Sequence, residues 1–285
     1  MRLAFAGLGV MGFPMAGHLA RAGHHVRGYN RSPDKARHWA ETHGGEAAGT
    51  IPELVQDVEM LLLCVGRDDD VRQVVELALP ALAKGTVIVD HTTTSASLAR
   101  ELAAAAKAAG CFFVDAPVSG GQAGAENGQL TIMCGAESQV FARVEPVIDV
   151  YAKAIKLMGP PGAGQLTKMA NQICIAGVVQ GLSEALHFAK RAGLDPADVY
   201  EAISKGAAQS WQMDNRWKTM AENRFDFGFA VDWMRKDLGL VLDEARINGA
   251  RLELTALVDR FYSEVQALGG SRWDTSSLVA RLETP

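Results

Sequence analysis

A chain of 285 residues, 48% of them hydrophobic and 21% charged, is long enough to bury cores in two medium domains, and its composition excludes disorder and fibrous repeats. Its formal charge of −5, with Lys and Arg scattered along the sequence, argues against nucleic acid or a polybasic membrane contact as partner. Cys64, Cys111, Cys134 and Cys174 lie far apart in apolar stretches without CxxC or Cys/His spacing, so reduced, buried thiols and no metal site are expected.

Met1 to Ala6 reads as an apolar strand with no basic leader or cleavage site ahead of it. No apolar run approaches the roughly 18 residues that span a bilayer, so a cytoplasmic location is expected. The next six residues, Gly7-Leu8-Gly9-Val10-Met11-Gly12, form GxGxxG between that strand and a helix over Phe13 to Ala22. In this position Gly7 permits the tight turn, Gly9 lets backbone approach a diphosphate, and Gly12 lets helix and strand pack closely. The helix N-terminus adds unpaired N–H groups and the positive end of a dipole, so the segment is read as a dinucleotide site.

His24 to Tyr29 is the second strand, and Asn30 follows where NAD enzymes of this pattern carry an acid for the ribose hydroxyls. Asn removes the charge that would repel a 2′-phosphate, and Arg31 beside it offers a fork for one, so NADP(H) is favoured over NAD(H). The alternative is that Arg31 is simply solvated. A helix over Pro33 to His43 and apolar runs at Met60–Val65, Val87–Asp90, Phe112–Asp115 and Leu130–Cys134 continue the alternation, which predicts a parallel sheet covered by helices on both faces.

Asp115-Ala116-Pro117-Val118-Ser119-Gly120-Gly121 follows an apolar strand, and backbone N–H groups around Gly120 and Gly121, with the Ser119 hydroxyl, suit a carboxylate. An ordinary strand-to-loop turn is the competing reading. Beyond Gly159-Pro160-Pro161-Gly162 the texture becomes helical, with one long helix from about Ala163 to Ala192 and Asp195-Pro196 opening the next. Gly177 and Gly181 give that long helix a bare face for close packing. The expected fold is an α/β Rossmann dinucleotide-binding domain over 1–162 followed by an all-α domain over 163–285, joined by a long interdomain helix over 163–192. Lys168 and Asn171 project from one face of this helix, one turn in. A lysine so near a helix N-terminus opposes the dipole, which hints at function, although a solvated lysine is the commoner explanation.

These motifs together resemble the β-hydroxyacid dehydrogenase family, which includes 3-hydroxyisobutyrate dehydrogenase and tartronate semialdehyde reductase. The resemblance spans essentially the whole chain. Its carriers are Gly7 to Gly12 with Pro14-Met15, Asp115 to Gly121, Gly162 to Asn171, and Lys236-Asp237-Leu238-Gly239. It implies that Lys168 is the catalytic acid/base, that Ser119, Gly120, Gly121 and Asn171 contact substrate, and that Lys236 lies near the nicotinamide. Cys64, Val65 and Thr93 fall at its other cofactor-contact positions. It also implies a homodimer or homotetramer built through the helical domain.

The expected substrate is a small acid with a hydroxyl or carbonyl at its β carbon, and Asn171-Gln172 is similar to tartronate semialdehyde reductases. Gln209, Trp211, Met213 and Asp214 are expected to reach the site, whereas Trp217 and Trp233 serve either the site or helix packing. Three rival readings share the fold. A 6-phosphogluconate dehydrogenase resembles a much longer chain, an imine reductase replaces the lysine, and a catalytically silent NADP-binding module would not need Lys168, Ser119 and Asn171 together.

Overall fold

The computed structural model describes residues 1–283. In chain order its elements are β1 (Arg2–Ala6), α1 (Gly12–Arg21), β2 (His25–Tyr29), α2 (Pro33–His43), β3 (Glu46–Ala47), α3 (Ile51–Leu54), β4 (Met60–Leu63), α4 (Asp68–Ala78), β5 (Val87–Asp90), α5 (Ala96–Ala108) and β6 (Phe112–Asp115). There follow β7 (Val118–Ser119), α6 (Gly121–Glu126), β8 (Leu130–Gly135), α7 (Ser138–Ile148), β9 (Ala152–Gly159) and α8 (Ala163–Arg191). The remainder is α9 (Pro196–Ile203), α10 (Trp211–Ala221), α11 (Val231–Asn248), α12 (Glu253–Ala267) and α13 (Ala280–Glu283). A Rossmann-like α/β domain is thus followed by an all-α domain that begins with the long helix α8. Two compact units divide the chain, Met1–Lys168 and the part from Met169 on.

In the first unit the strands run in the order β3-β2-β1-β4-β5-β6-β8-β7, with β9 paired to β8. Neighbours from β3 to β6 are parallel, which needs a crossover between each pair and is why helices cover both faces. β4 and β5 are buried along their whole length, as their unbroken apolar runs predict. The two-residue period still sorts their side chains between faces: Leu3, Phe5, Met60, Leu62, Val87 and Val89 join one core, whereas Ala4, Ala6, Leu61, Leu63 and Ile88 join the other.

Three features differ from the sequence expectation. The sheet is mixed, because β8 runs antiparallel to β6 and β7. β3 and β7 are only two residues long, too short to leave a pattern. β9 is a full strand, but its exposed Lys153 and Lys156 break up the apolar signal.

The second unit packs its helices around two apolar clusters, one on Val231, Met234, Leu238 and Tyr262, the other on Leu186, Met213, Trp217 and Met220. Side-chain caps open its helices where the sequence supplies them, Asp195 accepting from Ala197 N–H at 2.7 Å and Ser210 from Met213 N–H at 3.1 Å. Of the two glycines on α8, Gly177 does bring a neighbour close, since a Cβ there would meet Leu254 Cδ2 at 3.4 Å, but Gly181 faces nothing within 4 Å. No helix among the described residues is long and apolar enough to cross a membrane.

Candidate active site

In the first unit the glycine loop follows β1 directly. Gly7 sits at φ +95° and donates its N–H to Tyr29 O at 2.8 Å, and a Cβ on it would fall 2.2 Å from Cys64 O. A Cβ on Gly12 would fall 1.8 Å from Gly7 O, so both glycines are required by the fold itself. Gly9 is different: a Cβ there meets no protein atom within 4 Å. The first turn of α1 has neither a side-chain cap nor an acidic residue, and Val10 is exposed. Bare backbone at Gly9 beside an uncapped helix N-terminus fits a dinucleotide diphosphate.

Asn30 closes the loop from the side, accepting Leu8 N–H on Oδ1 at 3.1 Å and donating through Nδ2 to Ser32 O at 3.3 Å. An aspartate would accept the Leu8 N–H equally well, so the consequence of Asn30 is the missing charge. Arg31 reaches into solvent, with 80% of its side chain exposed, and its Nη1 stands 3.0 Å from Asp70 Oδ1 in the first turn of α4. Sequence reasoning missed Asp70, which also accepts Arg67 N–H at 3.2 Å.

Cys64 and Val65 leave the end of β4 half-buried, and Val65 N–H donates to Thr92 Oγ1 at 3.0 Å. Thr92 N–H in turn donates to Asp90 Oδ1 at 2.9 Å, and burial of that carboxyl raises its pKa to about 7. Thr93, between buried Thr92 and Thr94, is half-buried. His91 beside them is buried; its Nδ1 lies 2.7 Å from Ala116 O and its Nε2 2.9 Å from Tyr151 Oη. A carbonyl accepts only, so Nδ1 carries the proton and Nε2 accepts from the tyrosine. Burial holds this neutral imidazole down to a pKa of about 4.

Ser119 ends β7, and the chain then turns through Gly120 at φ +133° and Gly121 at φ +61°. Gly120 needs its glycine twice, for that φ and because a Cβ would lie 3.2 Å from Leu130 Cδ2, whereas a Cβ on Gly121 meets nothing within 4 Å.

The start of α8 is fastened from two directions. Asp115, at the end of β6, accepts Gly162 N–H on Oδ1 at 2.7 Å and Gln165 N–H on Oδ2 at 2.9 Å, a carboxylate placed where the helix dipole favours it. Burial pushes its pKa up to about 6 against these bonds, which favour the charged form. The approach is close enough that a Cβ on Gly135 would lie 2.3 Å from Asp115 Oδ1 and one on Gly164 2.3 Å from Met133 O. Gln165, fully buried, accepts Thr94 N–H at 3.0 Å and donates to Thr92 O at 2.7 Å. One helical turn further on is Lys168, 7% exposed. It is therefore not the solvated lysine that its position allowed. The capping by Asp115 and the side-chain bonds of Gln165 escaped sequence reasoning, although both residues stand within the motifs singled out.

In the second unit Asn171 donates to Gln172 Oε1 at 2.8 Å, and Gln172 donates to Asp237 Oδ2 at 2.6 Å. Lys236 pairs with Asp237 Oδ1 at 3.0 Å, its ammonium 5.9 Å from the centre of the Trp233 ring. Met213 does not join this group: it is buried in the helical core with Trp217, whose Nε1 donates to Pro196 O at 2.8 Å. Gln209 donates to Asp214 at 2.6 Å, and Trp211 is exposed with the Arg216 guanidinium 5.0 Å over its ring. The cysteine expectation also needs correction, since only Cys111 and Cys134 are buried, whereas Cys64 is half-buried and Cys174 is exposed on α8.

Residues 2–159 match the NAD binding domain of 6-phosphogluconate dehydrogenase, and residues 162–282 match the NAD-binding domain of NADP-dependent 3-hydroxyisobutyrate dehydrogenase. An uncharacterized oxidoreductase of Shewanella frigidimarina is 61% identical, covering 99% of this chain and 98% of its own. The 2-hydroxy-3-oxopropionate reductase of Escherichia coli is 36% identical, over 99% of this chain and 97% of its own. Among solved structures, the Mycobacterium tuberculosis 3-hydroxyisobutyrate dehydrogenase with L-serine superposes with a TM-score of 0.92 at 31% identity, over 99% of both chains. Two matched domains in order, and whole-length similarity in sequence and in structure, make this chain a member of the β-hydroxyacid dehydrogenase family of NAD(P)-dependent oxidoreductases.

Proposed function

We propose that this chain interconverts a small β-hydroxyacid and its semialdehyde, of the 3-hydroxyisobutyrate or tartronate semialdehyde type, with NADP(H) preferred and Lys168 as general acid/base. The observation that carries the reading is the burial of Lys168 one turn into a helix whose start is fastened by Asp115 and Gln165. A long cationic side chain is rarely buried without a task.

A bound nicotinamide supplies or accepts hydride. In reduction, the Lys168 ammonium donates its proton to the oxygen that gains charge at the substrate carbonyl; in oxidation, the neutral amine takes the hydroxyl proton. Free lysine has a pKa near 10.4, so acting as an acid at neutral pH needs no shift, and reduction is the proposed working direction. Backbone N–H groups around Gly120 and Gly121, with the Ser119 hydroxyl, hold the substrate carboxylate. Gly7 to Gly12 take the cofactor diphosphate, Cys64, Val65 and Thr93 contact the cofactor, and Asn30 with Arg31 admits a 2′-phosphate. For Asn171 as substrate ligand and Lys236 as cofactor ligand the proposal rests on family membership. A second copy of this chain is the proposed partner, supported by exposed Val178, Leu254 and Leu257 on helices of the second unit.

The test is turnover of tartronate semialdehyde, methylmalonate semialdehyde, succinate semialdehyde and glyoxylate with NADPH and with NADH. Lys168→Ala is expected to lower turnover by at least about 10²-fold while NADPH affinity stays close to that of the unaltered protein. Equal turnover in that variant would overturn the assignment.

A further inference from the structure

Lys168 is one of several buried polar side chains on one face of α8. Gln165, Lys168 and Gln172, spaced three and four apart, are 0%, 7% and 2% exposed. Of these, Gln165 makes an unusual pair of bonds. Its Oε1 accepts Thr94 N–H at 3.0 Å and its Nε2 donates to Thr92 O at 2.7 Å, so one amide brackets Thr93 from both sides. Its own N–H is separately taken by Asp115 Oδ2 at 2.9 Å, so the side chain is not needed to cap the helix. The bracketed loop reaches further, because Thr92 Oγ1 accepts Val65 N–H at 3.0 Å. Only a side chain of this length that both donates and accepts makes the two bonds together.

We propose that Gln165 is a positioning residue: it sets the Thr92–Thr94 loop and the first turn of α8 in one register, so that the Thr93 cofactor contact and the Lys168 ammonium are placed together. This rests on the roles given above to Thr93 and Lys168, and it goes beyond them by naming what couples the two.

A glutamate at this position provides a readout that a merely structural role would not move. Ionised, it accepts only, and it opposes Thr92 O. Protonated, it regains one donor and one acceptor, as the amide has. Asp115 at the end of β6 bonds Gln165 directly, and the other charged and titratable groups on the segments around it are Asp90 and His91 at the end of β5, Asp68 of α4 bound to Ser95, Arg100 of α5 against Gly162, and Lys168 on α8 itself. All of them are present in the unaltered protein too, so the signature is the difference between variant and unaltered curves.

The experiment measures NADPH dissociation constants by nucleotide fluorescence, thermal midpoints and turnover, from about pH 6 to about pH 9, for the unaltered chain, Gln165→Glu, Gln165→Met and Lys168→Ala. At alkaline pH Gln165→Glu should bind NADPH about tenfold more weakly and turn over about tenfold more slowly, the worth of one buried hydrogen bond, and both should recover as the pH falls. Gln165→Met should show the loss without the recovery. Gln165→Glu behaving as the unaltered protein at alkaline pH, or matching Gln165→Met at every pH, would overturn the proposal. If the glutamate variant does not fold, the methionine variant decides: weakened NADPH binding by folded protein supports the positioning role, and unaltered binding overturns it. Failure of the broader functional reading looks different, since Lys168→Ala would then turn over like the unaltered chain; the binding measurement needs no turnover.

Discussion

The same alanine substitution should have opposite consequences at two glycines of one loop. At Gly12 a Cβ would press against Gly7 O at 1.8 Å, so Gly12→Ala is expected to lower the thermal midpoint. At Gly9 the added carbon meets no protein atom within 4 Å. Gly9→Ala should therefore keep the midpoint and weaken NADPH binding by about tenfold or more, by standing where backbone must approach a diphosphate; calorimetry with nucleotide titration checks both. Arg31 carries a second residue-scale expectation. Its pair with Asp70 is exposed and worth at most about 1 kcal/mol, so Asp70→Asn should free the guanidinium and raise the preference for NADPH over NADH by up to about fivefold in paired titrations. Arg31→Ala should lower that preference, and an unchanged ratio in that variant would remove Arg31 from cofactor choice. The glycines were legible in the sequence because a short fingerprint of fixed spacing between strand and helix carries them. Asp70 and Gln165 were not, because their partners are remote in the chain: Asp70 is 39 residues from Arg31, and Gln165 is 71 and 73 residues from the groups it bonds.

At the scale of elements, β4 and β5 were legible because burial on both faces leaves an unbroken apolar run, and α8 because its pattern runs on without a strand signal behind it. The reversal at β8 left no trace, since an apolar strand reads alike in either direction. The end of β5 also carries a pH effect. His91, neutral and buried, has its pKa lowered to about 4 from 6.5, so stability is lost as the pH falls through that window, where the unfolded chain takes up a proton that the folded one refuses. Asp90 and Asp115, raised to about 7 and about 6 by burial, act in the opposite sense, stabilising at low pH and losing that contribution as the pH rises. His91→Gln keeps a group able to donate to Ala116 O and accept from Tyr151. Relative to the unaltered chain it should gain up to about 3 kcal/mol in urea unfolding between pH 7 and about pH 4, and parallel curves would count against the buried neutral imidazole.

For the whole molecule, two domains and their order were legible, whereas the state of assembly is a matter of surface that sequence pattern leaves open. Leu254, 57% exposed on α12, and Val178 on α8 are exposed apolar residues against which the proposed second copy would pack. Light scattering should give two or four times the chain mass, and Leu254→Glu should shift the population toward the single chain; a single chain at micromolar concentration in the unaltered protein would remove that partner. The first unit holds a different kind of edge. β9 pairs with β8 on one side, and no other described strand lies on its far side, where a row of backbone donors and acceptors would template a further strand. Lys153 and Lys156 stand exposed on it, so a second sheet edge laid against it would have to bring lysine charges together. The charges that hid this strand from sequence reading are thereby its protection against aggregation.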